Sequence, residues 1–175
     1  AANLGAEVIL IAGPSAETIQ HSFVKRIDVK SAEEMYTQAH LYFKDTDIAI
    51  LSAAVADYRP KNVAAQKIKK KDATIEIVLE KTKDILASLG EIKEHQLLVG
   101  FALETNNEVE NAKGKLKKKN LDLIVLNSLQ DKGAGFATDT NKITIIDKDL
   151  SMQTFGLKSK DAVAEDIMNA IVAKL

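Results

Sequence analysis

The chain has 175 residues, 28% of them charged, with Lys+Arg 24 against Asp+Glu 25 and a formal net charge of -1. That size fits one domain with a substantial core, and the balanced charge leaves no global field favouring nucleic acid or an anionic membrane. Cysteine is absent, which excludes disulfides, thiolate catalysis and cysteine-bound metals, and His21, His40 and His95 have no ligand spacing. No apolar run approaches the ~20 residues of a membrane helix, and no signal-peptide pattern opens the chain, so a cytoplasmic protein is expected.

In chain order, Ala1-Ala2-Asn3-Leu4-Gly5-Ala6 reads as a last helical turn with Gly5 as its C-terminal cap. A chain opening inside an element is expected to have lost an upstream strand and loop. Glu7 to Ala12 carries the run Val8-Ile9-Leu10-Ile11, ended by Gly13-Pro14, as in a strand buried on both faces. Val24 to Val29 alternates more loosely and suits an edge. Ser31-Ala32-Glu33-Glu34 is a capping box ahead of a helix to about Lys44, with Met35, Ala39 and Tyr42 at helical spacing.

Asp47 to Ala54 is strand-like and leads into Val55-Ala56-Asp57-Tyr58-Arg59-Pro60. From there to about Asp72 the sequence is polar and basic, the pattern of a long functional loop or flap. Thr74 to Glu80 places Ile75, Ile77 and Leu79 on one face of a half-exposed strand. A helix is expected over Thr82 to Lys93, a buried strand over Gln96 to Leu103, a helix capped by Asn106 or Asn107 running to Lys119, and a strand over Leu121 to Leu126. Asn141 to Asp147 and Met152 to Gly156 form an antiparallel hairpin, followed by a helix from Ser159 to Leu175.

This alternation predicts a doubly wound α/β domain, Rossmann-like, with a mostly parallel sheet and an antiparallel edge hairpin, in a single unit spanning residues 1–175. Ligands in such folds bind beyond the carboxyl ends of the strands, here after Ala12, Ala54, Leu103 and Asn127. Basic residues gather near those ends: Lys67, Lys69, Lys70 and Lys71 on the flap, and Lys113, Lys115, Lys117, Lys118 and Lys119 on a helix. Lys115 and Lys119, four apart, share a face and suit a triphosphate, although lysines in a last helical turn also complement its dipole. Asp57 stands where a carboxylate can meet a ribose, a base or a metal, or pair with Arg59. Asp84 is either a ligand or a first-turn residue, and Phe101 either stacks on a base or is core. Gly13-Pro14 lacks the dinucleotide fingerprint, so an oxidoreductase rests on topology alone. A noncatalytic nucleotide-binding or regulatory domain is the other alternative.

Ala53-Ala54-Val55-Ala56-Asp57-Tyr58-Arg59-Pro60, Lys67-Ile68-Lys69-Lys70, Gly100-Phe101-Ala102-Leu103-Glu104-Thr105 and Lys119-Asn120-Leu121-Asp122-Leu123-Ile124 form an ordered set. It resembles bacterial phosphopantothenoylcysteine synthetase, the phosphopantothenate-cysteine ligase half of the bifunctional flavoprotein of coenzyme A biosynthesis. Phe23-Val24-Lys25-Arg26-Ile27-Asp28-Val29 and Gly135-Phe136-Ala137-Thr138-Asp139-Thr140-Asn141 extend the likeness over nearly the whole chain.

The resemblance implies CTP-dependent ligation of 4'-phosphopantothenate with L-cysteine through an acyl-cytidylate, with Mg2+, releasing pyrophosphate and CMP. By resemblance Leu51, Ser52, Ala53 and Asp57 meet the nucleotide. Lys67 comes from the flap, Lys83, Asp84, Ile85 and Leu86 from a helix start, Phe101 from a strand end, and Lys115 and Lys119 from the following helix. Lys67, Lys115 and Lys119 carry the catalytic charge. Where the family often has Asn-Pro-Asp this chain has Thr82-Lys83-Asp84. The resemblance further implies a homodimer built partly through the flap, an upstream flavin-dependent decarboxylase in the natural polypeptide, and no FMN in this domain. It assigns no metal ligands.

Overall fold

The computed structural model describes residues 1–69, 74–128 and 139–175. A short 3-10 turn at Ala2–Leu4 ends at Gly5, whose φ of 89° lies in the left-handed region that glycine enters without strain. There follow β1 (Val8–Ala12), β2 (Val24–Asp28), α1 (Ala32–Phe43), β3 (Ile48–Leu51), β4 (Tyr58–Pro60), β5 (Leu79–Lys81), α2 (Ile85–Ile92) and β6 (Leu97–Glu104). The rest of the chain forms α3 (Glu108–Lys118), β7 (Leu123–Ser128), β8 (Thr140–Asn141), β9 (Ile143–Asp147), β10 (Met152–Thr154), β11 (Lys158–Ser159) and α4 (Lys160–Val172).

Local chemistry sets several of these boundaries. Ser31 caps α1 by accepting the Glu34 amide at 3.2 Å, and Glu34 reaches back to the Lys30 amide at 2.8 Å. This is the capping box with its return bond shifted one residue upstream. Asp84 caps α2 through the Ala87 amide at 3.0 Å, so α2 starts three residues later than the apolar pattern suggested. Asn107 precedes α3 with a φ of 48° and no side-chain cap.

The main sheet has the order β10-β9-β7-β6-β3, with β3, β6 and β7 parallel and the β9–β10 hairpin antiparallel at one edge. Period-two alternation sends its side chains into two cores. Leu98, Ala102, Ile124, Leu126 and Ile146 pack with Phe43 of α1, Ile85 and Leu89 of α2, and Ala112 and Leu116 of α3. Val99, Leu123, Val125, Ile143 and Ile145 pack with Val163, Ile167 and Ile171 of α4. Helices thus cover both faces, as the doubly wound pattern requires. Among the described residues no helix is long and apolar enough to cross a membrane.

Two expectations need correction. The first strand is only half buried, with Ile9 41% exposed. It forms a separate parallel pair with β2, and its other edge borders a cavity. Ile9, Leu10 and Ile11 line one wall, and Ile48, Ala49, Ile50 and Leu51 of β3 line the other. Consecutive residues point to alternate faces, so three or four in a row can meet one cavity only along a strand edge. The second concerns Thr74 to Glu80: only Leu79–Lys81 forms a strand, paired with Tyr58–Pro60. Ile75, Ile77 and Leu79 are all more than half exposed. Among the described residues nothing covers these apolar side chains of the β4–β5 arm, so the alternation does not bury one face. Residues 70–73 and 135–138, which complete two of the sequence motifs, lie outside the described residues.

Gly100 of β6 lets two leucines close over the strand, since a Cβ there would stand 2.7 Å from Leu86 Cδ2 and 2.8 Å from Leu121 Cδ1. Gly100→Val is expected to overpack this layer and lower stability by about 1–3 kcal/mol. The check is the urea denaturation midpoint, which an unstrained core would leave unmoved.

Candidate active site

The carboxyl end of β3, the entry to α2 and the end of α3 meet around a cavity of about 390 Å³. Its lining combines four charged side chains with many apolar ones. Ser52, Ala53, Val55, Ala56 and Asp57 line it from the segment after β3, and Thr82, Lys83, Asp84, Ile85 and Leu86 from the entry to α2. Phe101 enters from β6 and Lys119 from the end of α3, and Met35, Tyr42 and Phe43 of α1 also line it. Asp57 and Asp84 are its acidic side chains, Lys83 and Lys119 its basic ones.

Backbone and side-chain bonds stitch the two rim segments together. Thr82 Oγ1 donates to the Ala56 carbonyl at 2.6 Å, and the Thr82 amide donates to the Asp57 carbonyl at 2.9 Å. Thr82 is therefore the residue that joins the strand-end loop to α2. Asp84 lies between two donors, the Ala87 amide of its own helix and the Lys119 ammonium, the latter 2.9 Å from Oδ2 and 3.1 Å from Oδ1. Burial pushes its carboxyl up, but those donors outweigh burial and hold it below its ordinary value.

Ten of the twelve nucleotide-site residues expected from the sequence share this cavity: Leu51, Ser52, Ala53, Asp57, Lys83, Asp84, Ile85, Leu86, Phe101 and Lys119. Lys115 and Lys67 are not brought to its wall. The Lys115 ammonium is bonded to Glu104 Oε1 at the end of β6. Lys67 lies exposed in the irregular segment after β4. The one-face argument for Lys115 and Lys119 thus places both near strand ends, with each ammonium on a different carboxylate.

Lys83 lines the cavity, but its ammonium points away to Glu33 Oε1 at 2.7 Å and stands 4.3 Å from the centre of the Tyr36 ring. Arg59 joins the same group through Glu80 at 2.9 Å and Glu33 at 3.9 Å, so Asp57 does not have Arg59 as an ion-pair partner. The Glu33 carboxyl is held below its ordinary value, first by its hydrogen bond from Lys83. Sequence reasoning missed Glu33, Thr82 and the counter-ion role of Glu104. Glu33 is visible as a first-turn residue of α1, but nothing in sequence links it to Lys83, 50 residues on. Among the described residues no three metal-ligating side chains gather.

A family model described as DNA/pantothenate metabolism flavoprotein C-terminal domain matches residues 1–175. A prokaryotic protein of unknown organism, named Cysteine/Cysteine sulfinic acid decarboxylase, is 51% identical over 173 residues, covering 98% of this chain and 48% of the relative. The Coenzyme A biosynthesis bifunctional protein CoaBC of Bacillus subtilis (strain 168) is 43% identical over 173 residues, covering 99% of this chain and 43% of the relative. The crystal structure of the C-terminal domain of a CoaBC protein superposes with a TM-score of 0.80 at 39% identity, covering 97% of this chain and 75% of that one. The chain thus spans less than half the length of these two full-length relatives.

The depressed Asp84 carboxyl predicts a pH dependence with a definite sign. Such a group stabilises the fold fully above its unfolded pKa of about 4, and that contribution is lost as pH falls through the lower folded value. Asp84→Asn keeps a capping oxygen and is expected to lose less stability on acidification below about pH 4 than the parent. Urea midpoints at neutral and acid pH decide this, and identical losses in the two proteins would contradict the assignment.

Proposed function

The chain belongs to the DNA/pantothenate metabolism flavoprotein C-terminal domain family, and on that premise we propose that it ligates 4'-phosphopantothenate to L-cysteine, consuming CTP. The observation that carries the reading is the cavity itself. Residues scattered from Leu51 to Lys119 line one cavity, where Asp57, Lys83, Asp84 and Lys119 stand among apolar side chains and the Lys119 ammonium is held on Asp84. That is a small-molecule site with sparse, placed charge, at the strand ends where doubly wound sheets bind ligands.

In this reading the phosphopantothenate carboxylate attacks the α-phosphorus of CTP, an acyl-cytidylate forms and pyrophosphate leaves. The amine of cysteine then attacks the acyl carbon, the amide forms and CMP leaves. Both reactants of the first step are anions, so the barrier includes their mutual repulsion. Lys119 offsets it from a fixed position, and Lys83 does so once its ammonium leaves Glu33. Lys115 reaches the phosphates by leaving Glu104, and Lys67 by closure of the arm. Cations aimed where negative charge accumulates lower the transition state more than the ground state. Phe101 and the backbone of Leu51 to Ala53 offer surface and hydrogen-bonding groups to the base and ribose, with Ile85 and Leu86 closing the other side.

Mg2+ fits these residues as an ion carried by the nucleotide. It is usually held by one or two carboxylates and substrate phosphates, without a full protein cage, and Asp57 and Asp84 are the carboxylates on this wall. When bound it would neutralise phosphate charge. The proposal extends to a cytoplasmic protein, to an upstream flavin-dependent decarboxylase in the natural polypeptide, and to a homodimer. The dimer is supported by the arm, where Ile75, Ile77, Val78 and Leu79 are exposed together, an apolar patch that calls for a partner.

The direct test is pyrophosphate release by the full-length protein given 4'-phosphopantothenate, cysteine, Mg2+ and CTP; no release with any nucleoside triphosphate would overturn the reading. Lys119→Ala is expected to slow release by roughly a hundredfold, the usual effect of removing one transition-state donor. The domain should stay folded, losing about 1 kcal/mol with the Asp84 ion pair. For the dimer, Ile77→Asp should shift the sedimentation profile to monomer without unfolding the domain, whereas an unchanged profile would remove the arm from the interface.

A further inference from the structure

Lys119 is the one lysine whose ammonium reaches the cavity from α3, and the structure holds it at both ends with a single helix. Its ammonium bonds Asp84, the cap residue at the start of α2. Its carbonyl lies against Gly90 in the last turns of the same helix, so closely that a Cβ at Gly90 would stand 2.0 Å from the Lys119 carbonyl oxygen and 2.9 Å from its carbonyl carbon. Asp84 and Gly90 are six residues apart, about 9 Å along an α-helix. The lysine side chain therefore runs back along α2, from its C-terminal half towards its N-terminus at the cavity rim.

The turn that follows is fixed just as tightly. Asn120 has a φ of 52°, a left-handed conformation that asparagine tolerates better than most residues, and its Nδ2 donates to the Gly90 carbonyl at 2.9 Å. Lys93, the residue that ends α2, donates to the Asn120 carbonyl at 2.8 Å and to Asp122 Oδ2 at 2.9 Å. That same Asp122 oxygen accepts the Leu98 amide of β6 at 2.8 Å. The turn is thereby tied to the helix on one side and to the central sheet on the other.

We propose that Gly90, Lys93 and Asn120 are positioning residues for Lys119. They set its backbone against α2 so that its side chain can span the helix and present its charge at the rim. The proposal rests on the reading of that rim as the nucleotide site. Gly90 gives the turn the space to approach, Asn120 supplies the backbone reversal and the bond back to the helix, and Lys93 locks the reversal to β6 through Asp122. None of the three lines the cavity. Their effect on binding is therefore indirect, and the route through Lys119 is what the test below reads.

The test is a double-mutant cycle read by calorimetric titration of the protein with CTP. Lys119→Ala is expected to weaken binding roughly tenfold or more, as loss of a charge-assisted contact. Asn120→Gly keeps the left-handed turn available without strain while deleting the bond to Gly90. It should weaken CTP severalfold in the parent and have no further effect in the Lys119→Ala background. Gly90→Ala, if it folds, should follow the same pattern. Equal weakening by Asn120→Gly in both backgrounds, or none in the parent while Lys119→Ala still weakens binding, would overturn the positioning role and leave the nucleotide reading standing. Lys119→Ala without effect would overturn both.

Discussion

Burial of β6 and β7 on both faces is the constraint on which the site depends. Leu98, Val99, Ile124 and Val125 are all sequestered from solvent, and a one-residue slip in either strand would exchange the residues facing α1, α2 and α3 with those facing α4. The register pairs Val99 with Leu123 and Leu103 with Asn127, while β3 meets β6 from Ile48–Leu97 to Leu51–Gly100. With register fixed, the loops leaving β3 and β6 emerge at the same end of the sheet, and α1, α2 and α3 share the core on one of its faces. The chemistry of the rim follows from hydrophobic alternation several residues below it. Asp122 joins the two levels, since one of its oxygens holds both a strand amide and the lysine that closes α2.

The ion pairs near the cavity fall into two kinds when weighed by exposure. Lys93 and Asp122 have side chains only 12% and 22% exposed, and removing one partner would leave a partly buried charge uncompensated. That pair is structural. Lys83 and Glu33 are 53% and 46% exposed, where an ion pair contributes about 0–1 kcal/mol. Such a pair can be exchanged for a phosphate, which offers more charge and more acceptor oxygens than one carboxylate. Lys119–Asp84 and Lys115–Glu104 lie between these limits. The carboxylates beside the lysines therefore do not argue against an anion site: they orient flexible side chains without binding them so firmly that a polyphosphate cannot compete.

Sequence patterns revealed those parts of the molecule where local chemistry and tertiary structure agree. The capping box at Ser31, the final helix from about Ser159, the β9–β10 hairpin and the parallel core strands all follow from short-range signals that the fold keeps. The site was legible in outline because its residues cluster at strand ends, where the doubly wound pattern says to look. What pattern could not supply was direction. Lys115 and Lys119 do share a helix face, yet Glu104 takes one ammonium and Asp84 the other. Lys83 sits on the cavity wall with its charge turned outward. Each choice depends on a carboxylate brought near by tertiary packing, and spacing along a single helix carries no information about it.

The strand expectations that failed have a common cause. An apolar run states how much surface a segment must hide, whereas burial depends on what the rest of the fold brings to cover it. Val8 to Ile11 has the composition of a central strand, but it pairs on one side only, and Ile50 of β3 is 40% exposed across the same cavity. Residues of β1 and β3 thus line the proposed site together with those of α1 and α2. Ile75, Ile77 and Leu79 repeat the mismatch on the arm. In both places demand for burial exceeds the cover these residues provide, one beside the cavity and the other at the surface proposed to meet a second subunit. Apolar surface left uncovered by an otherwise well-packed fold is where a binding function is compatible with folding, because the two buried cores supply the stability that the open edges do not.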